Sequence, residues 1–506
     1  MIRTKRRSIA LVLLMTRAHC SVAFGLLRSA AALAVVGLLA HAALAEPSRR
    51  PSQPNFVFIL GEGHGWSSTS VAMDDAVPES KSALVRTPNF EKLAQAGMRF
   101  ANFYAPSPRC TPSRATFFTG IGPAQLHMTF VGEGKGDTGG ADADRKIVPP
   151  RCVLELPEQT TTIAELLQRT GYATAHFGKW HVGRVSPARH GFDESDGATS
   201  NGGPDSVDNP HPKQLYGMTE RGLDFMSRQV KAHRPFYLQL SHYASRRGGD
   251  ASPQALATAT EWGGDLSEQE IGEAAADVDL DLAFGMLLKK LDELGIANNT
   301  YVIFTTDHGS PGRNPPLAGG KGTVSEGGLR VPLIIRGPGI RPGACSHVRT
   351  IGADLFPTVA ELACVNEPLP AGVEGGSLVP VLSHGGQGAV KRRREGIVVH
   401  FPHYDKDAIG PASAILLGDF KLVRVYESGA LELFDIARDP GERRNLAAEM
   451  PDKAKELDQR LGDYLAAVNA QMPTLNPNYD PNKASEANRD RKGKGRGKGK
   501  ERKKSR

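Results

Sequence analysis

Cysteine is scarce in this chain of 506 residues, which contains five of them. So few cysteines in so long a chain exclude a disulfide-stapled scaffold. Long apolar runs are lacking too: the longest uncharged stretch near the N-terminus, Ser29 to Ala45, is short for a bilayer span, and no later segment is long enough. With 40% hydrophobic and 23% charged residues, the composition is that of an ordinary soluble globular protein.

Basic charge is concentrated at the two ends of the chain. The net charge is +7, but residues 1–45 contribute +6 and residues 489–506 contribute +9, which leaves −8 between them. A folded body of that sign lacks the basic face that a nucleic-acid binder needs, so we expect no nucleic-acid partner.

The N-terminal region has the features of a secretory signal peptide. Basic residues at its start are followed by apolar segments and by the small-x-small pattern Ala43–Ala45. We therefore predict a signal peptide over 1–45, a spacer over 46–53, and a secreted or periplasmic protein with no integral membrane segment after cleavage. A membrane anchor is the alternative, which the shortness of the apolar run disfavours.

Alternating strand and helix patterns follow. Buried strands are predicted at 55–60, 173–177, 236–240 and 301–305. Capping boxes at Thr162 and Ser267 indicate helices ending near Gly171 and Leu294. This order predicts an α/β fold over 54–365, with a large mixed, mainly parallel sheet flanked by helices.

The pattern changes after residue 365. Short strand-like runs at 396–400, 414–417, 421–425 and 431–434 precede a helix at about 452–468. They predict a smaller C-terminal α+β subdomain of antiparallel strands over 366–471. The Pro/Asn-rich and then Lys/Gly/Arg-rich segment 472–506 is expected to be a disordered basic tail.

The segment Cys110–Gly120 carries the clearest chemical signal. It places a cysteine at the start of a probable helix, with Arg114 one turn later. Helix N-termini and guanidinium groups both favour anions, so these residues could cradle a tetrahedral oxyanion. A buried cysteine at a helix cap is the purely structural interpretation, and the residues alone leave both open.

The same segment matches the sulfatase signature, Cys-x-Pro-Ser-Arg followed by Thr-Gly, and Gly171–Gly183 matches a second signature of that family. Further matches occur in the family's order at 86–90, 190–193, 319–323, 326–332, 354–358, 433–435 and 439–446. Over roughly 54–448 the chain thus resembles the formylglycine-dependent, arylsulfatase-like sulfatases of the alkaline phosphatase-like superfamily.

The resemblance implies a nucleophile and its neighbours. Cys110 would be oxidised to formylglycine by a formylglycine-generating or equivalent maturation enzyme, and one hydroxyl of the aldehyde hydrate would attack sulfur. Arg114 would hold the hydrate, Lys179 and Lys321 would contact sulfate oxygens, and His181 would support the hydrate or its alkoxide. Each lysine lies among glycines, which suits close approach of the backbone to a ligand.

The resemblance also implies one bound Ca²⁺, at Glu62, Asp307, His308 and the modified Cys110. The chain departs from the family here, because Gly63 stands where a second metal-binding aspartate is usual and can supply no ligand. The pair Asp74–Asp75 is a candidate for a missing carboxylate, but a solvated turn is the better interpretation of that pair. A histidine ligand suits a transition metal better than calcium, so other metals stay open.

A second departure concerns the leaving group. Arg246 stands where the family has a histidine; arginine cannot act as a general acid at neutral pH, but it can neutralise a developing oxyanion. His242 lies four residues earlier and could take the proton role, or be purely structural.

The sequence therefore predicts an exported sulfuric-ester hydrolase acting on a sulfated small molecule or polysaccharide, that is, an aryl or carbohydrate sulfate. One alternative is a phosphatase or phosphodiesterase of the same superfamily, against which Cys110 argues because those enzymes usually use Ser or Thr. The other is a catalytically weakened relative that binds sulfated glycans, which Gly63 and Arg246 favour.

Overall fold

The computed structural model describes residues 53–131, 142–201, 214–243, 251–264, 266–312, 314–405 and 409–484. The predicted signal peptide, most of the basic tail and Arg246 lie outside these residues. The described residues belong to one compact unit.

Sixteen strands occur in the described part of the chain: β1 (Asn55–Gly61), β2 (Met98–Phe100), β3 (Phe103–Tyr104), β4 (Ile147–Val148), β5 (Ala173–Gly178), β6 (Glu194–Ser195), β7 (Phe236–Ser241), β8 (Thr300–Thr306), β9 (Leu333–Arg336), β10 (Ala344–Ser346), β11 (Thr350–Ile351), β12 (Ile397–Phe401), β13 (Ala412–Leu417), β14 (Phe420–Val425), β15 (Leu431–Asp435) and β16 (Thr474–Leu475).

The α-helices of the same residues are α1 (Pro88–Ala96), α2 (Cys110–Thr119), α3 (Pro123–Leu126), α4 (Ile163–Gln168), α5 (Leu215–Lys231), α6 (Pro253–Gly263), α7 (Glu268–Glu293), α8 (Glu326–Leu329), α9 (Leu355–Leu362), α10 (Val379–Ser383) and α11 (Pro451–Ala467). Short 3₁₀ turns lie at Pro78–Ser80, Pro187–His190, Ala297–Asn299 and Gly352–Asp354.

Eight strands form the central sheet, in the order β10-β2-β9-β8-β1-β7-β5-β6. The five strands from β8 to β6 are parallel, while β9 runs antiparallel to β8 and β2. The predicted class, a mixed and mainly parallel sheet, is confirmed.

Strand β1 shows why the sheet is covered on both faces. Its side chains alternate between two hydrophobic clusters: Phe56, Phe58 and Leu60 enter one, and Val57 and Ile59 enter the other. The first cluster takes apolar residues from α2, α4 and α9, and the second takes them from α1, α5 and α7. A strand buried on both faces reads as a continuous apolar run, which is what its sequence shows.

The second sheet is antiparallel, with the order β12-β13-β14-β15, and helix α11 packs on it. Leu457 and Leu461 of the helix share a cluster with Ile415, Leu422 and Leu433 of the strands. The predicted strands and helix are present, with ends shifted by one or two residues. The predicted boundary between the two parts, at 365 and 366, stays a prediction.

Two expectations differ in detail from the structure. Helix α4 has the predicted capping box at Thr162 but ends at Gln168, because the chain turns there and the Gly171 amide bonds to the Gln168 carbonyl. The described chain also continues past 471, where the sequence predicts the ordered part to end. Strand β16 pairs there with β4, and the Asn476 amide donates to two backbone carbonyls.

All four cysteines of the described residues, Cys110, Cys152, Cys345 and Cys364, are free thiols. Within those residues, no helix combines the length and the apolar character required to cross a bilayer.

Candidate active site

Four polar residues lie at the carboxyl edge of the central sheet, each directly after a neighbouring parallel strand. Glu62 follows β1, Lys179 follows β5, His242 follows β7 and Asp307 follows β8. The strand register brings them together, since Gly61 pairs with Thr306, and Ser241 pairs with both Leu60 and Gly178. This is the edge at which open α/β sheets bind ligands, and the sequence predicts polar residues there.

Cys110 enters the site as the first residue of helix α2 and is almost fully buried. Its thiol donates to Glu62 Oε1 at 3.3 Å, and its Sγ lies 3.3 Å from His308 Nε2 and 3.6 Å from Lys321 Nζ. The helix start is held from the preceding loop, where Ser113 Oγ donates to the Ser107 carbonyl and accepts from the Ser107 amide.

Arg114, one turn along α2, is completely buried. Its Nε donates to Asp307 Oδ2 and its Nη2 to Glu62 Oε2, both at 3.0 Å. Its remaining bonds go to the carbonyls of Lys179, at 2.6 Å, and of His242, at 3.3 Å. The guanidinium thus joins the ends of four strands, which requires its planar set of donors.

Glu62 is the common partner of three cations. Lys179 Nζ donates to Oε2 at 2.8 Å and Lys321 Nζ donates to Oε1 at 3.0 Å, in addition to the bond from Arg114. Lys179 reaches this position because Gly178, at a φ of +97°, lets the chain pass close to β7, where a Cβ would lie 2.1 Å from the Ser241 carbonyl oxygen.

The electrostatics of the group are strongly perturbed. Burial raises the pKa of Glu62, but Lys179 and Lys321, with His308, outweigh it and hold that pKa well below its usual value. Burial and Glu62 raise the pKa of the Cys110 thiol, yet Lys179, His308 and Lys321 lower it well below the usual value.

The pKa values of the two ligand candidates at the end of β8 are shifted as well. Burial and the neighbouring Glu62 raise the pKa of Asp307 to about 6. Burial lowers the pKa of His308, but the Asp307 carboxylate and the Cys110 sulfur raise it to about 9. Such shifts mark a buried cluster of ionisable groups, and such clusters are common at functional sites.

The donors in this group fit a divalent cation. Single ligand atoms of Glu62, Cys110, Asp307 and His308 all lie within 4.8 Å of one another, and all four residues are buried. The Nδ1 of His308 lies 2.9 Å from the Gly309 carbonyl, so Nδ1 carries hydrogen and Nε2 is the atom that faces the group. The four residues predicted from sequence as metal ligands are therefore brought together.

The other predicted residues lie around this group. His181 is buried, has a φ of +59°, and its carbonyl accepts a bond from Thr111, next to Cys110. His242 is buried beside Arg114, and burial lowers its pKa to about 3. Asp74 and Asp75 instead face other cations. Asp74 Oδ2 lies 3.9 Å from Arg330 Nη2, and Asp75 Oδ1 lies 2.9 Å from Arg99 Nη1.

Sequence reasoning missed a buried pair next to this site, His64 with Asp277. His64 lies two residues after Glu62, and its Nδ1 lies 2.8 Å from Asp277 Oδ1 in helix α7. Asp277 also lines a cavity of about 510 Å³ together with Ser310 and Asn314. A histidine inside a glycine-rich turn after a strand was the only local signal, and nothing in the sequence connects it to the distant helix.

Comparison with known proteins decides the family. The family model "Sulfatase" matches residues 54–365, and the model "N-sulphoglucosamine sulphohydrolase, C-terminal" matches residues 320–471. The chain belongs to the sulfatase family. It is a sulfatase, an enzyme that hydrolyses sulfate esters of carbohydrates or aryl compounds.

Two human sulfatases are similar to this protein over most of its sequence. Human N-acetylgalactosamine-6-sulfatase is 30% identical over 379 residues, which cover 67% of this chain and 67% of that protein. Human arylsulfatase A is 28% identical over 510 residues, which cover 87% of this chain and 90% of that protein.

Solved structures share the fold. The crystal structure of Ps i-CgsB in complex with k-i-k-neocarrahexaose has a TM-score of 0.68 and 21% identity, and covers 82% of this chain and 93% of that one. The structure of BT4656 in complex with its substrate D-glucosamine-2-N,6-O-disulfate has a TM-score of 0.63 and 21% identity, and covers 82% of this chain and 98% of that one. The alkaline phosphatase-like fold expected from the sequence is confirmed.

Proposed function

We propose that this sulfatase is exported and removes sulfate from an aryl or carbohydrate ester, using a formylglycine hydrate derived from Cys110 and one divalent cation. The observation that carries the proposal is the position of Cys110. Its sulfur is buried at a helix start, 3.3 Å from Glu62 Oε1 and His308 Nε2 and 3.6 Å from Lys321 Nζ.

Hydrolysis of a sulfate ester places demands that these residues meet. The nucleophile must attack sulfur in line with the departing oxygen, while negative charge grows on that oxygen and on the equatorial oxygens. Lys179, Lys321 and Arg114 are fixed by their bonds to Glu62 and Asp307 before any substrate arrives. Preorganised cations of this kind stabilise a transition state without reorganising during the reaction.

Glu62, Asp307 and His308 would hold the divalent cation, with an oxygen of the modified Cys110. The resemblance to the family predicts calcium as that cation. When bound, it would lower the pKa of the hydrate and attract a sulfate oxygen. Arg114 holds the two carboxylates in place by bonding to one oxygen of each.

The leaving group needs a partner of its own. His242 carries a neutral ring at pH 7, because burial and the nearby His64 and Arg114 lower its pKa to about 3. A neutral ring can orient a hydroxyl group but has no acidic proton to give. We therefore propose that Arg246, which lies outside the described residues, neutralises the charge that develops on the leaving oxygen.

A carbohydrate sulfate is the substrate class that the relatives support. Human N-acetylgalactosamine-6-sulfatase is named for a sulfated sugar, and the structural neighbour BT4656 was solved with the substrate D-glucosamine-2-N,6-O-disulfate. We propose the same class here, with small aryl sulfates as convenient assay substrates. Export is supported by the signal-like segment 1–45 and is tested by N-terminal sequencing of secreted protein, which should begin after Ala45.

The deciding experiment uses protein produced together with a formylglycine-generating enzyme. We expect turnover of an aryl sulfate, loss of that turnover in Cys110→Ala, and full turnover in the matched control Cys152→Ala. The aryl phosphate analogue should react far more slowly than the sulfate. A preference for phosphate would favour the phosphatase alternative, and binding of sulfated glycan without any turnover would favour the weakened binding relative.

A further inference from the structure

The imidazole of His308 lies in the space that a side chain at Gly63 would enter, next to the other candidate metal ligands. Gly63 has a φ of +62°, and a Cβ built on it would lie 2.9 Å from His308 Cε1 and 3.3 Å from His308 Nδ1. Contacts below about 3 Å to a ring carbon require something to move. A side chain at position 63 and the imidazole of His308 in its present place therefore exclude each other.

The imidazole is held in that place by its own backbone. Its Nδ1 lies 2.9 Å from the Gly309 carbonyl oxygen, which only accepts hydrogen bonds. Its Nε2 faces Glu62 Oε1 and Asp307 Oδ1, both at 3.4 Å, and the ring is fully buried. A ring whose Nδ1 is bonded to a carbonyl oxygen while its Nε2 points at two carboxylate oxygens has the orientation usual for a histidine that binds a metal.

Every oxygen of the two carboxylates already accepts a hydrogen bond. Asp307 Oδ2 is bonded by Arg114 and Asp307 Oδ1 by the Gly63 amide, while Glu62 Oε2 is bonded by Arg114 and Lys179 and Glu62 Oε1 by Lys321. These bonds leave both groups poorly placed to bind a cation through two oxygens at once. Counting one oxygen from each carboxylate, His308 Nε2 and the oxygen derived from Cys110, the described residues supply four donors, one of them nitrogen.

Calcium is poorly matched by such a set. It takes six to eight oxygen ligands and often uses bidentate carboxylates, whereas imidazole suits first-row transition metals. We propose that this site selects a divalent transition cation such as Mn²⁺ over Ca²⁺, with His308 as the nitrogen ligand in the space that a side chain at position 63 would need. The inference rests on the proposed metal-dependent function and specifies its cation.

The test measures cation binding directly. Protein stripped with a chelator is titrated separately with Mn²⁺ and Ca²⁺ by calorimetry, and the metal content of untreated protein is determined by mass spectrometry. We expect one Mn²⁺ per chain, bound on the order of tenfold or more tightly than Ca²⁺. Cys110→Ala, which cannot form the aldehyde, should keep this order of affinities, so that incomplete maturation does not obscure it.

Variants measure the contribution of the imidazole to cation selectivity separately from that of the other ligands. His308→Asn should weaken Mn²⁺ binding on the order of tenfold or more while changing Ca²⁺ binding little. Gly63→Asp alone should bind both ions poorly, because the new side chain meets the ring. The double variant Gly63→Asp/His308→Asn removes that conflict, and it should prefer Ca²⁺ relative to the unsubstituted protein. His400→Asn, a buried histidine of the second sheet, is the matched control and should bind both ions normally.

Melting temperatures of the metal-free variants show whether each one folds. Equal or tighter binding of Ca²⁺ by the unsubstituted protein, an unchanged selectivity in folded His308→Asn, or no cation binding at all would each overturn the inference. Its failure is distinguishable from that of the proposed function: a calcium-loaded, fully active enzyme with an aldehyde at position 110 would refute only the metal selectivity.

Discussion

Arg114→Ala is the substitution that tests the electrostatic account of the site most severely. Arg114 is completely buried, and its Nε and Nη2 pair with the carboxylates of Asp307 and Glu62. Without it, Glu62 keeps Lys179 and Lys321, but the fully buried Asp307 loses its guanidinium partner. Removing one partner of a buried ion pair typically costs about 3–5 kcal/mol, because the other charge is left uncompensated.

We therefore expect the free energy of unfolding to fall by about 3–5 kcal/mol, seen as a lower midpoint in urea with little change of slope. The control is Arg189→Ala. Arg189 also bonds to a carboxylate, that of Glu158, through two nitrogens, but its side chain is 70% exposed. Exposed pairs contribute about 0–1 kcal/mol.

Activity provides a second measurement of the same change. Loss of one fixed charge that stabilises a transition state commonly lowers kcat by about 10²–10³-fold. Arg114→Ala should lose at least that much aryl sulfate turnover, while Arg189→Ala should lose none. If Arg114→Ala unfolds at the same urea concentration as Arg189→Ala, the buried network does not stabilise the fold as its geometry indicates.

Further predictions concern other charged groups. Lys321→Ala should lower kcat/KM about 10²-fold or more with little change in melting temperature, since its Nζ reaches Glu62 but its side chain is partly exposed; an unchanged kcat/KM would remove it from the site. Burial, with a neighbouring buried histidine, lowers the pKa of His403 from 6.5 to about 3. Between pH 6.5 and 3, His403 is therefore protonated in the unfolded chain but neutral in the folded chain. The free energy of unfolding should fall as the pH drops through this window, and it should fall less steeply in His403→Gln. A pH profile of melting temperature that is identical in both proteins would contradict this. Lys421→Ala should destabilise the protein by about 3–5 kcal/mol in urea unfolding, because the buried Lys421 pairs with the buried Glu326 at 3.2 Å, and a loss within 1 kcal/mol would show the pair to be dispensable.

The sequence predicted the site to the extent that local patterns encode it. The runs ending at Leu60 and Thr305 are buried strands, and the polar residues after them, Glu62 and Asp307, lie at one sheet edge because parallel strands end together. Cys110 begins a helix, as predicted, and Pro112 is tolerated because it lies in the first turn. These features depend on neighbours in sequence and on a general property of parallel sheets.

Contacts between distant segments were not predictable in the same way. His64 meets Asp277 only because α7 packs on the same face of the sheet, and no periodicity links the two residues. The pairing of β16 with β4 is of the same kind, joining residues from a segment whose composition is typical of a disordered tail. The sequence shows only that a carboxylate is missing at position 63. That a side chain there would collide with the ring of His308 is seen only in the structure.

The most direct test of the central claim is the mass of the peptide that carries position 110, taken from protein with full sulfatase activity. The account predicts that sulfur is absent there and that an aldehyde, which an added hydrazide captures, stands in its place. An intact Cys110 thiol in fully active protein would contradict it.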